Sequence, residues 1–441
     1  MIMKIEPQDG YDVISTLDVH IQDIAHHALL EQLEKYEASY GSVVLMETKT
    51  GQIKAISNLS KTSKGTYYES LNHAVGESHE PGSTFKLMTM MALLEDTAID
   101  TSYVVDTQRG VARFYDRKVY DSKRGGYGKI SLAEAFKYSS NTAFAKVLYK
   151  KYKNQPRRLL DRYFNIGLNK KLNVSIKGEG LPKFPYPGDR NWYGTTLPWM
   201  AFGYGVSMTP LQVLTFYNAI ANDGEMVKPQ FVKEVHNWGK VATTFKKEIL
   251  NPAVCSRKNV VILQDLLKQV VTDGTARNLR NSSVKIAGKT GTCQKNYNKS
   301  SEKELSYISS FVGYFPADEP KYSCIVVIHE PNKEKGFYGN EVAAPVFDKI
   351  AQKIYTSTPI EQAISLSDSI KKPSFDKYTA YKLKYRTVMP NVIGMPLIDA
   401  LPLLENMGLK VEVKGSGKVT KQSIKKGTKI KDIKKVTLQL S

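Results

Sequence analysis

The chain has 441 residues, a formal net charge of +20 and an apolar fraction of 41%, so it can bury a sizeable core and is long enough for two domains. The positive charge suits an anionic partner such as nucleic acid, an acidic membrane surface or a carboxylate-bearing polymer. The sequence has no zinc-ligand spacing, no Gly-rich phosphate loop and no interleaved basic and aromatic RNA motif, so we expect no nucleic-acid partner, no metal and no cofactor.

The start of the chain carries no recognisable targeting signal. We find no signal peptide and no run of about 18 apolar residues, and the opening residues lead almost directly into a folded pattern. We therefore expect that a preceding segment has been removed. Three cysteines, Cys255, Cys293 and Cys324, cannot form a disulfide framework and leave the redox compartment open.

The first third of the chain predicts strands and helices around a Pro-Gly break. Residues 14 to 38 are typical of a strand end and an amphipathic helix, and residues 41 to 57 are typical of two strands joined by a turn. Pro81-Gly82 then precedes a helical pattern, which places Ser83 at or just inside a helix N-terminus with Lys86 on the same face. A serine before an apolar helix is usually an N-cap and a nearby lysine is usually solvated, so this window by itself favours a structural role.

The middle of the chain predicts helices followed by a sheet. Residues 101 to 129 are irregular, and a capping box of Ser131 and Glu134 then predicts a helix that leads into KYSSNTAF. Further helices are predicted at residues 209 to 222 and 256 to 272. Three strand-like runs follow closely, and sequential strands with short connections usually pair antiparallel. With helices on both sides, the predicted fold class is α+β, an antiparallel sheet flanked by helices.

The C-terminal residues predict a separate domain. Residues 357 to 388 loosen into a Lys-, Ser- and Tyr-rich linker, and residues 389 to 441 predict a strand, a helix and three short strands divided by Gly turns. We therefore expect a first domain at residues 1 to 356, a linker at 357 to 388 and a small α+β domain at 389 to 441. The small domain holds ten lysines and four acidic residues, so much of the positive charge lies elsewhere.

Three short motifs stand in order along the first domain. They are Ser83-Thr84-Phe85-Lys86, Ser139-Ser140-Asn141 and Lys289-Thr290-Gly291-Thr292. Each is weak alone, because Ser-x-Asn is common in loops and Lys-Thr-Gly on a strand is normally an edge or a turn. Together they resemble the Ser-x-x-Lys, Ser-x-Asn and Lys-Thr-Gly set of penicillin-binding proteins and serine β-lactamases.

The resemblance extends well beyond these motifs. The stretches NHAVGESHEPGSTFK, FGYGVSMTPLQ, VTDGTAR and FVGYFPADEP resemble the transpeptidase domain of class B penicillin-binding proteins, over residues 9 to 355. Residues 389 to 441 resemble a single PASTA module with two departures: Pro402 falls inside the expected helix, and Ile424 stands where that module usually has proline. The membrane anchor and N-terminal pedestal of the family are not found in the sequence.

The resemblance implies a nucleophile and the groups that activate it. Ser83 would be the nucleophile, and Lys86 could activate it only if the Lys86 pKa fell through desolvation and a nearby cation, which Lys289 would supply. Ser139 would relay a proton between Lys86 and the leaving or attacking amine. Asn141 would hold Lys86 and bond the substrate amide. The identity of the residue that finally acts as the base stays open.

The Lys-Thr-Gly strand is expected to bind the substrate. Gly291 would let a substrate backbone lie against the strand edge, and the hydroxyls of Thr290 and Thr292 would hold a C-terminal carboxylate. Backbone N–H groups of Ser83 and Thr292 would form the oxyanion hole. Cys293 would point to the other side of the strand as a packed core thiol.

The function implied by the resemblance is that of a peptidoglycan D,D-transpeptidase. Ser83 would form an acyl-enzyme with a D-Ala-D-Ala stem peptide and pass the acyl group to the amine of another strand, and β-lactam antibiotics would acylate the same serine. We expect a role in septal, cell-division wall synthesis on the extracytoplasmic (periplasmic) face of the cytoplasmic membrane, with an N-terminal membrane anchor and with a membrane glycosyltransferase and division proteins as partners. Two alternatives stay open: a β-lactamase or penicillin-sensing domain, and an inactive scaffold of the division complex.

Overall fold

The computed structural model describes residues 10–97, 99–295, 305–357, 387–415, 417–431 and 433–441. The chain divides into two compact units, Met1–Pro359 and Ile360–Ser441, and each has its own hydrophobic core. The linker predicted at residues 357 to 388 lies almost entirely outside the described residues. In the part of the chain that the structure describes, no helix is both long enough and apolar enough to cross a membrane.

The first unit combines helices with several antiparallel sheets. Its helices are α1 (Val19–Tyr36), α2 (His73–Gly76), α3 (Lys86–Asp96), α4 (Leu132–Lys137), α5 (Asn141–Tyr152), α6 (Pro156–Asn165), α7 (Thr196–Met200), α8 (Pro210–Ala221), α9 (Arg257–Thr272), α10 (Gly339–Val342) and α11 (Ala344–Ser357). Its strands are β1 (Asp12–Ser15), β2 (Tyr40–Glu47), β3 (Ile53–Lys61), β4 (Tyr67–Glu69), β5 (Val104–Asp106), β6 (Val111–Phe114), β7 (Arg117–Tyr120), β8 (Lys129–Ser131), β9 (Met226–Val227), β10 (Val232–Asn237), β11 (Lys240–Thr244), β12 (Ile249–Asn251), β13 (Ala287–Lys295), β14 (Ser306–Phe315) and β15 (Tyr322–His329).

The main sheet has the strand order β13-β14-β15-β2-β3-β4, and its neighbours pair antiparallel. On one face Phe311 of β14 contacts Phe347 of α11, with ring centroids 4.9 Å apart. On the other face Ser323 of β15 donates a 2.7 Å hydrogen bond to Asn218 of α8. Strand residues alternate between faces, so the β14–β15 register puts these contacts on opposite sides of the sheet. An antiparallel sheet between helices confirms the predicted α+β class.

Local sequence signals predict some secondary-structure elements correctly and fail to predict others. The predicted capping box of Ser131 and Glu134 is formed at the start of α4. The prediction that residues 101 to 129 are irregular was wrong, because β5 pairs with β8 and β6 pairs with β7 in this region. These strands have only three or four residues each, which is too short for a period-two pattern to stand out.

The second unit is a small α+β domain. It contains helix α12 (Leu397–Glu405) and strands β16 (Lys410–Lys414), β17 (Val419–Gln422) and β18 (Lys435–Leu440), in the order β16-β18-β17. Strand β18 pairs parallel with β16 and antiparallel with β17. The strand predicted at the start of this unit is only a single bridge between Val388 and Lys429, because Pro390 has no N–H to extend a ladder. Pro402 lies inside α12, and the helix forms around it.

Candidate active site

Ser83 lies in a 3-10 turn, Gly82–Phe85, that continues directly into α3 at Lys86. The turn is tighter than the predicted helix N-terminus, and no side-chain capping bond is made at its start. Ser83 is therefore not a helix cap. Its Oγ lies 3.0 Å from Lys86 Nζ, which is the contact that the Ser-x-x-Lys spacing predicts.

The Ser139-Ser140-Asn141 segment connects α4 to α5 and faces Lys86. Ser139 has a φ of +59°, a conformation that is uncommon and costly for a residue other than glycine. This backbone directs both the carbonyl and the hydroxyl of Ser139 at Lys86 Nζ, at 2.7 and 3.0 Å. Asn141 begins α5, and its Oδ1 lies 2.7 Å from the same Nζ. The second motif thus surrounds the lysine of the first.

Lys289 brings the third motif to the same point. It lies on β13, an edge strand of the main sheet, and its Nζ donates to Ser139 Oγ at 2.9 Å and to the Thr290 carbonyl at 3.0 Å. The Ser139 hydroxyl therefore bridges Lys86 and Lys289. Residues that are about 200 positions apart in the chain form one hydrogen-bonded cluster, with Ser83 at one end and Lys289 at the other.

The four oxygen neighbours of Lys86 Nζ restrict how it can be protonated. The Ser139 carbonyl and the Asn141 amide oxygen can only accept hydrogen bonds. A neutral amine has two N–H donors, which these two oxygens satisfy. Its lone pair then faces the hydroxyls of Ser83 and Ser139, each 3.0 Å away. The site can therefore hold a neutral Lys86 that is placed to accept a proton from Ser83.

Electrostatics favours the neutral form of Lys86. Both Lys86 and Lys289 are 0% exposed. Burial lowers the pKa of Lys86 well below its usual value, the positive charge of Lys289 lowers it further, and the negative charge of Asp121 raises it. Burial also lowers the pKa of Lys289, to about 7. Burial and the charge of Lys289 thus both favour a neutral Lys86, and a neutral lysine is what can accept the proton of a serine.

The remaining residues of the third motif have partners within the chain. The hydroxyls of Thr290 and Thr275 lie 2.7 Å apart, and Thr292 Oγ1 accepts a 3.0 Å hydrogen bond from the Gly339 N–H. A Cβ on Gly291 would come within 2.2 Å of Ser310 Oγ, so the packing of the protein itself already requires glycine there. The substrate role of Gly291 stays a prediction.

Close contact between the Ser83 turn and β13 holds the two sides of the site together. Gly82 has a φ of +57°, and a Cβ on it would lie 3.1 Å from the Cβ of Cys293. Only glycine combines that conformation with that approach. Cys293 is buried, as a packed core thiol should be, and burial raises its pKa.

A cavity of about 360 Å³ opens beside the motifs, with Asn141 and Thr292 in its wall. Concave sites with aromatic walls and a few polar groups are the usual setting for a ligand. Among the described residues, no group of three or more His, Cys, Asp or Glu side chains could hold a metal ion. The aromatic residues of the cavity wall are Tyr120, Trp199, Phe202, Tyr204, Tyr307, Phe337 and Tyr338.

Two residues outside the three motifs support the second motif. The Tyr120 carbonyl accepts a 3.1 Å hydrogen bond from Asn141 Nδ2. The Asp121 carboxylate accepts hydrogen bonds from Ser140 and Thr142. Both residues belong to the stretch that was predicted to be irregular, and no local sequence signal links them to partners about 20 positions later. Sequence reasoning therefore missed them.

A serine hydroxyl that faces a buried lysine beside an aromatic cavity is the arrangement of a protein that forms covalent intermediates on serine. The family is specified by comparison. The model of the penicillin binding protein transpeptidase domain matches residues 41–352, and the PASTA domain model matches residues 387–441. The chain belongs to the penicillin-binding protein transpeptidase family and carries a PASTA domain, as the motifs predicted.

Comparisons with individual proteins give the same family assignment. Stage V sporulation protein D of Bacillus subtilis is 30% identical, over 99% of this chain and 66% of its own length. Peptidoglycan D,D-transpeptidase FtsI of Escherichia coli is 27% identical, over 82% of this chain and 58% of its own length. The crystal structure of penicillin binding protein 3 from Mycobacterium tuberculosis, complexed with aztreonam, matches with a TM-score of 0.69 at 25% identity, over 80% of this chain and 81% of that chain. The chain thus spans between 58% and 66% of the length of these two curated relatives.

Proposed function

We propose that the chain is a peptidoglycan D,D-transpeptidase that works through an acyl-enzyme on Ser83. The observation that carries the proposal is the buried cluster in which Lys86 Nζ lies 3.0 Å from Ser83 Oγ and shares the Ser139 hydroxyl with Lys289. The family supports it, and FtsI of Escherichia coli is named for this reaction.

In the acylation step, neutral Lys86 accepts the hydroxyl proton of Ser83 while Ser83 Oγ bonds to the carbonyl carbon of the penultimate D-Ala. The carbonyl oxygen becomes an oxyanion, which the N–H groups of Ser83 and Thr292 stabilise. The C–N bond to the terminal D-Ala then breaks, and Ser139 relays the proton that the leaving nitrogen needs, because its Oγ contacts both lysines. D-Alanine leaves, and an ester remains on Ser83.

The transfer step reverses this sequence with a new amine. The amine of a second stem peptide attacks the ester carbonyl, Ser139 relays the amine proton to Lys86, and Ser83 Oγ recovers a proton as the ester bond breaks. Asn141 holds Lys86 through its Oδ1. Its amide nitrogen has two N–H donors, of which one bonds the Tyr120 carbonyl and the other is available to a substrate carbonyl in the cavity.

The third motif supplies the groups for the terminal carboxylate. Lys289 provides a cation, and Thr292 lines the cavity with a hydroxyl whose own proton stays available, because this oxygen accepts from Gly339. Thr290 and Thr275 share one hydrogen bond, so that pair of hydroxyls also retains one O–H donor. Gly291 and the edge of β13 provide the backbone against which an extended stem peptide can lie.

Intact-mass spectrometry with penicillin, followed over time, tests the proposal. We expect one stable adduct on Ser83, and no adduct on a Ser83→Ala variant. Rapid loss of the adduct would instead favour a β-lactamase. No adduct on a folded wild-type protein would favour an inactive scaffold. D-Alanine release from a stem peptide and formation of the cross-linked product then establish the transpeptidase reaction itself.

The cellular setting is part of the same proposal. Peptidoglycan stem peptides are cross-linked outside the cytoplasm, so we place the reaction on the extracytoplasmic face of the membrane, in septal wall synthesis. A membrane glycosyltransferase would supply the glycan strands, and division proteins would determine where the enzyme acts. One relative is named as a sporulation protein, and another is named as the peptidoglycan D,D-transpeptidase FtsI. Depleting the protein from cells during growth, and separately during sporulation, distinguishes a division role from a sporulation role.

A further inference from the structure

Asp121 directly follows β7, and its carboxylate holds the second motif in place. It accepts hydrogen bonds from Ser140 Oγ at 3.0 Å, from the Thr142 N–H at 2.9 Å and from Thr142 Oγ1 at 2.7 Å. Ser140 and Thr142 are completely buried. Ser140 is also the N-cap of α5, where a nearby negative charge stabilises the helix. The carboxylate therefore joins the β6–β7 hairpin to the first turn of α5.

These bonds hold a segment that is strained. Ser139, with its φ of +59°, keeps that conformation only while its neighbours hold it there. Asp121 anchors the segment through Ser140, and the adjacent Tyr120 anchors it through Asn141. The oxygens of this segment that contact Lys86 at 2.7 Å would move if the anchors were lost.

Asp121 is also an acidic group whose charge acts on the buried Lys86. Two charged groups act on Lys86: Lys289, which lies on β13, and Asp121, which follows β7. Its hydrogen-bond partners in the first and second motifs, such as Ser83 and Asn141, are uncharged. Tyr127 is a titratable group that interacts with Asp121, and burial raises its pKa, so it stays neutral in acid. Lys86 is completely buried, so the charge of a nearby group has a large effect on whether it is protonated.

We propose that Asp121 is a positioning residue that sets both the placement and the proton affinity of Lys86. This role rests on the proposed function, in which Lys86 accepts the Ser83 proton. Burial and Lys289 lower the pKa of Lys86, and Asp121 raises it. Without the charge of Asp121 the pKa falls further, Lys86 holds a proton more weakly, and transfer from Ser83 becomes less favourable.

The test compares three variants by the rate of penicillin acylation between about pH 5 and 9. Asp121→Asn removes the charge, so we expect the acid limb to move to lower pH and the plateau rate to fall by about ten- to a hundred-fold. Thr142→Val removes one hydrogen bond and keeps the charge, so the acid limb should stay in place. Asp116→Asn is the matched control, because Asp116 is 78% exposed in the turn of the same hairpin. An unmoved acid limb in Asp121→Asn overturns the proposal, and so does a plateau within two-fold of wild type.

A second readout separates this proposal from the proposed function. NMR of labelled lysine follows the titration of Lys86 without any acylation, and Lys86→Met assigns its signal. A Lys86 titration that shifts in Asp121→Asn supports the role of Asp121 even if penicillin does not react. If Asp121→Asn fails to fold, Ser140→Ala combined with Thr142→Val removes two of the three bonds and keeps the charge. That double variant should lower the plateau and leave the acid limb unchanged, and a wild-type plateau overturns the proposal.

Discussion

The two units of the chain use lysine in opposite ways. In the first unit Lys86 and Lys289 are completely buried and share the Ser139 hydroxyl. In the second unit the ten lysines between residues 389 and 441 are all exposed, and Lys410 and Lys435 lie opposite each other across β16 and β18. Like charges in that position repel, and the ion pair of Lys435 with Glu412, together with water and salt, reduces the repulsion. The net charge of the chain therefore does not indicate its reaction, whereas the burial of two lysines indicates where a proton can be transferred.

The difference follows from what burial does to an ammonium group. Removing the charge from water destabilises the protonated form, so a buried lysine holds its proton weakly. Hydrogen bonds to Ser139 and Asn141 keep Lys86 satisfied in that environment. An exposed lysine is a solvated cation and adds little to stability even when it is paired. The same side chain is thus the proposed proton acceptor in one unit and a surface charge in the other.

The largest expected effect comes from removing the Ser83 hydroxyl, which lies 3.0 Å from the buried Lys86 Nζ. Ser83→Ala should abolish covalent labelling by penicillin, because the other hydroxyl 3.0 Å from Lys86 Nζ, that of Ser139, is also bonded by Lys289 and is proposed to relay protons. Ser83 caps no helix, so the free energy of unfolding should change by about 1 kcal/mol or less. Intact mass and thermal melting measure the two effects. An adduct on another residue would contradict the assignment of Ser83.

The buried lysines should differ in importance. Lys86→Ala should lower the acylation rate by roughly 10²- to 10⁴-fold, because it removes the group that moves the proton. Lys289→Ala should cause a smaller loss, since the proposed roles of Lys289 are to tune the local field and to bind the carboxylate. Stopped-flow acylation with a reporter penicillin measures both rates. The reverse order would require the two roles to be exchanged.

An exposed lysine of the second unit is the matched control for these variants. Lys421→Ala, on β17, removes the same side chain without touching the buried cluster. Its acylation rate should stay within about two-fold of wild type. A loss comparable to that of Lys289→Ala would remove the distinction between the two classes of lysine.

The pH dependence of acylation sharpens the comparison further. A base must be neutral, so the second-order rate constant should rise with pH as Lys86 loses its proton and then reach a plateau. Burial lowers the pKa of Lys289 to about 7, so the rate should fall again as that cation is lost, giving a bell-shaped profile. Lys289→Arg keeps its charge and should lose the alkaline limb. A profile without an acid limb would exclude a base that titrates within the measured pH range.

Much of this site could be predicted from the sequence, because its motifs are local. The spacing of Ser83 and Lys86 fixes a one-turn contact, and the capping box at Ser131 fixes the helix before Ser139. The anchor at Asp121 could not be predicted. Its place depends on the pairing of two four-residue strands, and its partners are 19 and 21 positions away. The Thr290–Thr275 contact escaped prediction for the same reason, since it is set by how α9 meets β13.

The smallest expected effect comes from removing all the exposed lysines of the PASTA domain at once. Deletion of residues 386–441 takes away the PASTA domain and all ten of its lysines, and it leaves the first compact unit, which ends at Pro359, intact. Ser83, Lys86, Ser139, Asn141 and Lys289, together with the partners described for them, all lie before that point. Because each unit has its own hydrophobic core, the acylation rate should stay within about two-fold of the full chain. The truncated protein must first show an unchanged melting transition of the first unit, because a partly unfolded unit would also react slowly. A ten-fold loss in a folded truncation would show that the second unit supports the buried cluster, and the two kinds of lysine could then no longer be treated as independent.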